Sequence, residues 1–196
     1  MTSSTSYMKK LDVRTHYQTS NVTDEYCERL LSEGLRVEED VLVARGLDER
    51  KILVIGGAGY IGIPLTVQLL ARGYNVRCLD LLLYDNRDLI SLFLGEPGYE
   101  FMYGDMTNSD VMTKSLEGIT DVIILAGLVG DPITKRYPNE SRVINDEGVK
   151  NVIEQINGKG INKVVFVSTC SNYGEIPEDV TADEEYELKP LSLYSK

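Results

Sequence analysis

Apolar residues follow two alternating patterns from Lys51 to the end of the chain. Short continuous apolar runs are typical of strands buried on both faces, and apolar residues three and four positions apart are typical of helices. The predicted strands are 51–56, 75–80, 99–103, 121–126 and 161–168, and the predicted helices are 60–72, 87–94, one capped by Thr107 or Asn108 that runs to Leu116, and 139–157. A loop is predicted over 127–138. The alternation predicts an α/β fold with a doubly wound parallel sheet of the Rossmann type.

The first fifty residues do not share this alternation. Residues 1–20 are polar and without a period, which predicts a flexible tail, and a short helix is predicted over 22–35. We therefore expect an N-terminal extension over 1–50 and one domain over 51–196. The extension is either a surface appendage or an arm that packs on a second subunit.

The composition of the chain excludes several classes of binding partner and several catalytic mechanisms. The 196 residues carry a formal charge of −11, which argues against nucleic acid and anionic membranes as partners. The chain has no apolar stretch of membrane-spanning length and no signal-like N-terminus, and its three cysteines are widely spaced, so we expect a cytoplasmic protein without a metal motif. His16 is the only histidine, which removes histidine catalysis and histidine–zinc sites from the domain.

A glycine turn follows the first predicted strand. Gly56, Gly59 and Gly62 are spaced by three residues and lead into a helical pattern. Gly56 permits the turn, Gly59 lets the backbone approach a phosphate, and Gly62 lets the helix lie close on the strand. The N-terminus of the helix then faces the anion, and we include Tyr60 and Ile61 in this predicted pyrophosphate site.

Carboxylates at the next two strand ends bear on which dinucleotide binds. Asp80 ends the second strand, where a carboxylate accepts hydrogen bonds from the adenosine ribose and repels a 2′-phosphate, so NAD is favoured. The alternative for Asp80 is an ordinary strand-end residue. Arg77 and Arg87 lie close in sequence and leave NADP open. Asp105, followed by Met106, either reaches the adenine amino group or caps the next turn.

The carboxyl ends of the fourth and fifth strands carry the remaining candidate chemistry. The small apolar residues Leu125, Ala126 and Gly127 suit backbone contact with a nicotinamide ribose. The polar segment 168–174 is either a substrate-binding cluster of hydroxyl groups or a plain polar strand end. Tyr194 lies on a helix predicted to start near Pro190, and its phenol needs a nearby cation to act as a base.

From Lys51 to its end, the chain resembles the extended short-chain dehydrogenases/reductases of the NAD-dependent epimerase/dehydratase group. The resemblance implies NAD as cofactor, a nucleotide-diphosphate sugar as substrate, Thr169 and Tyr194 as catalytic residues, and a homodimer. The matching positions are the three glycines, Asp80, Gly104 with Asp105, Asn145 with Gly148, Thr169 before Tyr173 and Gly174, and Tyr194.

Two departures from the family pattern qualify this resemblance. Cys170 and Ser171 stand where sugar 4,6-dehydratases have an acid pair, so an epimerase or a keto-sugar reductase is favoured over a dehydratase. The family lysine belongs four residues after Tyr194, two positions beyond Lys196. We therefore expect a truncated chain that lacks the C-terminal substrate lobe and is inactive as given, with a non-catalytic NAD-binding module as the remaining alternative.

Overall fold

Five parallel strands form one sheet in the order β3-β2-β1-β4-β5 in a computed structural model that describes residues 49–192, 194 and 195. The strand order reverses between β1 and β4, and ligands of open α/β sheets bind beyond the carboxyl ends of the strands at such a reversal. The predicted Rossmann-type sheet is confirmed. The strands are β1 (Lys51–Ile55), β2 (Asn75–Asp80), β3 (Tyr99–Tyr103), β4 (Asp121–Ile124) and β5 (Lys163–Phe166).

Helices connect successive strands, as parallel pairing requires. The two most regular are α1 (Gly62–Ala71), between β1 and β2, and α3 (Ser109–Ser115), between β3 and β4. Asn108 caps α3 through its side chain, which accepts from the backbone of Asp110 and Val111. The other helical segments are α2 (Arg87–Ile90), a 3-10 turn (Ser91–Phe93), α4 (Asp131–Arg136), α5 (Pro138–Ser141), a π-helix (Arg142–Gly148), α6 (Val149–Ile156) and a 3-10 turn (Cys170–Tyr173).

Two expectations about helices were wrong, and a third helix is present with bounds shifted by one residue. The predicted loop 127–138 contains α4, because the proline after Asp131 lies in the first turn of a helix, where its missing N–H costs nothing. The helix predicted over 139–157 begins at Pro138 and is interrupted by the π-helix. No helix begins at Pro190 in the described part of the C-terminus, where Ser195 instead donates its N–H to the Ser192 carbonyl over 3.3 Å.

The core lies on both faces of β1. Leu53 and Ile55 pack on one face with Val122, while Ile52 and Val54 pack on the other. These apolar side chains are 5% exposed or less. Each contributes roughly 1.5–3 kcal/mol when fully buried, so the strand that carries the glycine turn is the most firmly held in the sheet.

β5 differs from the other strands because it is open to solvent. Val164, Val165, Phe166 and Val167 are 45–55% exposed, although β5 pairs with β4 along its length. Parallel strands are ordinarily covered on both faces. An apolar strand edge of this kind is a surface on which further chain or a partner packs.

The predicted extension over 1–50 lies outside the described residues, apart from Glu49 and Arg50. Arg50 donates to Asp121 at the start of β4 through Nε over 3.0 Å and forms an ion pair with the same carboxylate through its terminal nitrogen. Arg50 is therefore attached to the sheet. None of the described helices combines the length and the apolar character that crossing a membrane requires.

Candidate functional site

The glycine turn leaves β1 through a conformation that excludes other residues. Gly56 has φ of +84°, and its N–H donates to the Leu79 carbonyl of β2 over 2.8 Å. A Cβ at Gly56 would lie 2.6 Å from the backbone nitrogen of Ala126 and 2.7 Å from its Cα. The turn therefore passes directly against the chain that follows β4, and only glycine fits both the dihedral angle and the space.

Gly62, at the start of α1, makes a close approach of a different kind from the one expected. A Cβ at Gly62 would lie 2.6 Å from the Cα of Gly57 and 2.5 Å from its carbonyl carbon. The sequence predicts that Gly62 brings α1 close to the strand, whereas the observed contact is with the glycine turn itself. The helix N-terminus is thus fixed against the turn.

The N-terminus of α1 is open towards a ligand. A Cβ at Gly59 would meet only the Gly56 carbonyl oxygen, at 3.2 Å. Ile61 stands at the N-cap and supplies no side-chain acceptor, and the first turn holds no acidic residue. The side chains of Tyr60 and Ile61 are 82% and 55% exposed. The Ile63 N–H donates to the Gly59 carbonyl over 3.1 Å, and residue 64 is a proline. The N–H groups without a partner among the described residues are therefore those of Tyr60, Ile61 and Gly62. Free N–H groups at a helix N-terminus, beside a glycine turn, form a site for a phosphate group.

Asp80 holds the glycine turn from the end of β2. One carboxylate oxygen accepts from the Ala58 N–H over 3.0 Å, and the other accepts from the Leu82 N–H over 2.7 Å. Burial raises the pKa of Asp80 above its ordinary 3.8, and the N–H donors of Leu82 and Ala58 offset part of that rise. Asp80 is thus both a strand-end residue that orders its neighbours and a carboxylate at the predicted ribose position.

Asn86 is a residue that the sequence analysis missed. Its side-chain Nδ2 donates to the Ala58 carbonyl over 2.5 Å, so Ala58 is held at its N–H by Asp80 and at its carbonyl by Asn86. Asp85 has φ of +57°, and aspartate followed by asparagine is a pair that tolerates left-handed turns. That pair is the one local signal in the sequence that marks this loop.

The guanidinium of Arg77 is held by other parts of the fold and is not free to bind a 2′-phosphate. Its guanidinium donates to the Ser115 and Glu117 carbonyls over 2.7 and 2.9 Å, at the C-terminal end of α3. It also forms an ion pair with Glu100 over 3.0 Å, and its side chain is only 9% exposed. Arg87, the other arginine that left NADP open, lies at the surface and pairs with Asp85 over 3.4 Å.

Asp105 and Met106 follow β3 and are buried. A carboxylate oxygen of Asp105 accepts from the Thr107 N–H over 2.9 Å, which is the turn-capping alternative of the two predicted. The Cε of Met106 lies 2.9 Å from the position that a Cβ on Gly148 would occupy. The Met106 side chain therefore packs against the π-helix in the core, which leaves its backbone as the part that can face a cofactor.

The segment after β4 runs beside the glycine turn. Leu125 and Ala126 both donate their N–H groups to the Ile55 carbonyl over 2.9 Å. This pairing places Leu125 and Ala126 at the carboxyl end of β1, next to Gly56. The predicted nicotinamide-side residues and the predicted pyrophosphate turn thus lie at one edge of the sheet.

Asn145 fixes the continuation of this segment from the π-helix. Its side chain accepts from the Leu128 N–H over 2.8 Å and donates to the Leu128 carbonyl over 2.9 Å. A Cβ on Gly127 would come within 3.2 Å of the Asn145 side-chain oxygen. Single π-helical turns occur frequently at functional sites, and this one directs an amide onto the backbone of the predicted cofactor edge.

The predicted catalytic residues lie in irregular structure beyond β5. Thr169 accepts from the Ser171 N–H over 3.2 Å and thereby caps the 3-10 turn. Tyr194 lies in a turn and is partly exposed. No hydrogen bond among the described residues joins Thr169 to Tyr194. The hydrogen bonds of the described residues therefore join the parts of the nucleotide side of the predicted site, and they do not link its two predicted catalytic residues.

The residues from β1 onwards match known proteins. The model of the NAD dependent epimerase/dehydratase family matches residues 52–196. The chain is 36% identical over 134 residues to a UDP-glucose 4-epimerase of Klebsiella pneumoniae, covering 65% of this chain and 95% of that sequence. It is 30% identical over 125 residues to a 3 beta-hydroxysteroid dehydrogenase/Delta 5→4-isomerase of Mycobacterium tuberculosis, covering 62% of this chain and 32% of the relative.

Among solved structures, the chain is similar to the UDP-glucose 4-epimerase of Thermus thermophilus in complex with NAD. The two share 30% sequence identity with a TM-score of 0.66, over 74% of this chain and 46% of the Thermus protein. The chain thus spans less than half the length of that enzyme and of the mycobacterial dehydrogenase. The matched part contains the sheet, the glycine turn and the segment after β4.

Proposed function

We propose a function from one premise: the chain belongs to the NAD dependent epimerase/dehydratase family. Its cofactor is NAD, the cofactor named for the family and bound in the similar Thermus structure. The observation that carries the proposal for this chain is the open N-terminus of α1 beside Gly59, with Asp80 next to it. In our proposal the turn and the helix bind the pyrophosphate, and Asp80 binds the adenosine ribose.

The remaining cofactor contacts follow the course of the chain along the sheet edge. We propose that Asp105 and Met106 approach the adenine through the backbone. We further propose that Leu125, Ala126 and Gly127 contact the nicotinamide ribose. For Leu125 and Ala126 this is supported by the backbone pairing with Ile55 that places them beside the glycine turn, and Gly127 follows them directly.

Selectivity for NAD over NADP tests the proposed role of Asp80. A 2′-phosphate would meet the Asp80 carboxylate, and Arg77 is bound to α3 and cannot compensate. We expect NAD to bind at least about tenfold more tightly than NADP, because repulsion between two charges near a protein surface costs more than 1 kcal/mol. Parallel calorimetric titrations with the two cofactors measure the ratio. Equal affinities, or a ratio that Asp80→Asn leaves unchanged, would contradict the role given to Asp80.

The pH dependence of NAD binding follows from the raised pKa of Asp80. The raised pKa means that the folded protein favours the protonated form of the Asp80 carboxyl. The protonated carboxyl therefore stabilises the fold below the unfolded-state pKa of 3.8, and this stabilisation is lost as the pH rises through the folded-state pKa. Ribose hydroxyls require the ionised form. We expect NAD affinity to fall as the pH drops through a midpoint above 3.8, and Asp80→Asn to weaken binding and remove that midpoint. NAD titrations over a pH series, each with a check of folding, test this pH dependence. A wild-type NAD affinity that does not change with pH would refute the prediction.

For the protein expressed from its complete reading frame, we propose an epimerase that acts on a nucleotide-diphosphate sugar. NAD, held by the glycine turn and Asp80, would supply the chemistry of a hydride acceptor and donor at the sugar carbon. Tyr194 as phenolate would take the proton of the hydroxyl on that carbon, and Thr169 would donate a hydrogen bond to the same oxygen. After the resulting keto-sugar had turned over in the site, Tyr194 would return the proton to that oxygen, with the configuration of the carbon inverted.

Incubation with UDP-glucose tests this reaction. The proposal predicts conversion to UDP-galactose with no net accumulation of NADH. An NAD-dependent dehydrogenase that releases its product is a second candidate, favoured by the similarity to the mycobacterial hydroxysteroid enzyme. That candidate predicts that oxidation of a hydroxylated substrate by the protein produces one NADH for each molecule of oxidised product. Absence of both outcomes, in a sample that binds NAD, would leave the non-catalytic module as the function.

The proposed location is the cytoplasm and the proposed assembly is a homodimer. The first rests on the cysteine pattern and the N-terminal composition, and the second on the resemblance to the family. Both stay predictions.

A further inference from the structure

We propose that Asn86 is a positioning residue for the dinucleotide, which acts by clamping the peptide groups around Ala58 together with Asp80. The inference rests on the proposed function, since it assigns a role within the NAD site. The clamp comprises Asp80, Ala58 and Asn86. It ties the tip of the glycine turn to the loop that follows β2.

The evidence for the clamp is that the N–H and the carbonyl of Ala58 are both held by side chains, one from the end of β2 and one from the loop that follows it. The Ala58 N–H donates to Asp80 over 3.0 Å, and the Ala58 carbonyl accepts from Nδ2 of Asn86 over 2.5 Å. Ala58 is fully buried, so neither group has water as a substitute partner. Because Ala58 precedes Gly59 directly, its carbonyl belongs to the peptide whose N–H is that of Gly59. That N–H donates to the Gly56 carbonyl over 3.1 Å, so both ends of the peptide are held within the turn.

The orientation of the Asn86 amide is fixed by chemistry. A carbonyl oxygen can only accept, so the group that faces Ala58 must be the NH₂ end of the amide. Oδ1 of Asn86 is buried and meets no hydrogen-bond donor among the described residues. The Asn86 side chain therefore donates to the glycine turn, and its oxygen accepts no hydrogen bond from the described residues.

The loop that delivers Asn86 is held in an unfavourable backbone conformation. Leu82 and Asp85 have φ of +54° and +57°, in the left-handed region that costs residues other than glycine about 1 kcal/mol or more. The Leu82 N–H bonds to Asp80, and the Asp85 N–H bonds to the Leu82 carbonyl over 3.1 Å. Such conformations persist where surrounding contacts impose them, and here they place Asn86 against the turn.

The consequence concerns the phosphates in particular. A pyrophosphate bound at the α1 N-terminus needs the N–H groups that follow the turn, those of Tyr60, Ile61 and Gly62, in one orientation. The clamp holds the turn that leads into them before the ligand arrives. Preorganised groups raise affinity because ordering is not left to the binding step. Loss of the Asn86 donor should therefore lower the affinity for NAD, which carries the pyrophosphate. It should have little effect on the affinity for adenosine, which lacks the pyrophosphate.

The test compares two variants at Asn86 with a matched control. Asn86→Ala removes the donor. Asn86→Leu keeps the approximate size of the side chain and removes the donor without adding a charge near the phosphates, and it serves if the alanine variant fails to fold. Asn162→Ala is the control: Asn162 also makes one side-chain hydrogen bond, to Asp121 over 3.1 Å, at the opposite edge of the sheet. Calorimetric or competition titrations with NAD and with adenosine give the affinities, and thermal melts confirm folding.

We expect both Asn86 variants to bind NAD about tenfold more weakly and the control to bind it as the wild type does. Adenosine affinity should change by less than about threefold in all three variants. Wild-type NAD affinity in either folded Asn86 variant would overturn the proposal. So would an equal loss for adenosine and NAD in Asn86→Ala, since Asn86 would then act at the nucleoside. A wild-type protein that does not bind NAD would refute the proposed function itself, which is a different result.

Discussion

Alanine in place of Gly56 is expected to destabilise the domain by about 3 kcal/mol or more and to abolish NAD binding. Two costs add at this position. The φ of +84° is unfavourable for a residue with a Cβ, and the new methyl group would lie 2.6 Å from the backbone nitrogen of Ala126. Backbone atoms of a buried strand end cannot move aside as a flexible side chain can. The turn must therefore shift, and with it the N–H groups that face the pyrophosphate.

Gly95→Ala is the matched control for this prediction. Gly95 has φ of +93°, and a Cβ there would meet nothing within 4 Å, so this variant carries the dihedral cost without the clash. It should lose about 1 kcal/mol of stability and keep its NAD affinity. Chemical denaturation gives the free energies of unfolding, and NAD titration gives the affinities. If the two variants lose equal stability, the close approach between Gly56 and Ala126 is not part of the folded protein.

Tyr194→Phe carries the largest expected effect on turnover. In the protein expressed from its complete reading frame, it should lower the rate of sugar epimerisation about 10³-fold, the scale on which a positioned acid–base group contributes. Phenylalanine retains the ring and removes the hydroxyl that would exchange the proton. Tyr194 follows β5 in the chain and makes no hydrogen bond to the glycine turn or to Asp80 among the described residues, so NAD affinity should be unchanged.

Tyr74→Phe provides the control for this substitution. Tyr74 precedes β2 at the opposite edge of the sheet, and its ring packs under the Arg50 guanidinium at 5.7 Å, a contact that phenylalanine retains. Its turnover should equal that of the wild type. Initial rates with UDP-glucose, followed by separation of the sugar nucleotides, compare the variants. Wild-type turnover in Tyr194→Phe would remove Tyr194 from the mechanism.

The sequence predicts much of the nucleotide half of the molecule because local signals and tertiary structure agree there. β2 and β3 have the predicted bounds, and β1 ends one residue before the predicted boundary. Buried parallel strands are read reliably because each is a short apolar run with polar or glycine boundaries. The glycine turn is equally clear, because Gly56 and Gly62 are required by contacts that no other residue allows.

The parts that sequence reasoning missed depend on contacts between distant residues. Arg77 is near Asp80 in sequence and looked available for a phosphate, yet its side chain crosses to α3. Asn86 bonds to Ala58 across 28 positions, and no periodicity reports such a pair. The helix after Gly130 was read as loop because the same proline that breaks a helix interior also starts a helix.

The catalytic half was predictable only as residue types, since no hydrogen bond among the described residues links them. Thr169 bonds within its own turn, and Tyr194 lies between Ser192 and Ser195, whose hydroxyl groups bond to each other. The apolar side chains of β5 are about half exposed. An exposed apolar surface of this kind is typical of a site where a partner or another segment packs.

Calorimetric titration of the folded protein with NAD tests the central claim most directly. That claim is that the glycine turn, the α1 N-terminus and Asp80 form an NAD site complete in its nucleotide half. The account predicts saturable binding of a single NAD per chain, which Gly56→Ala abolishes and Gly95→Ala leaves intact. No detectable binding at millimolar NAD, in a sample shown to be folded by a cooperative melt, would contradict it.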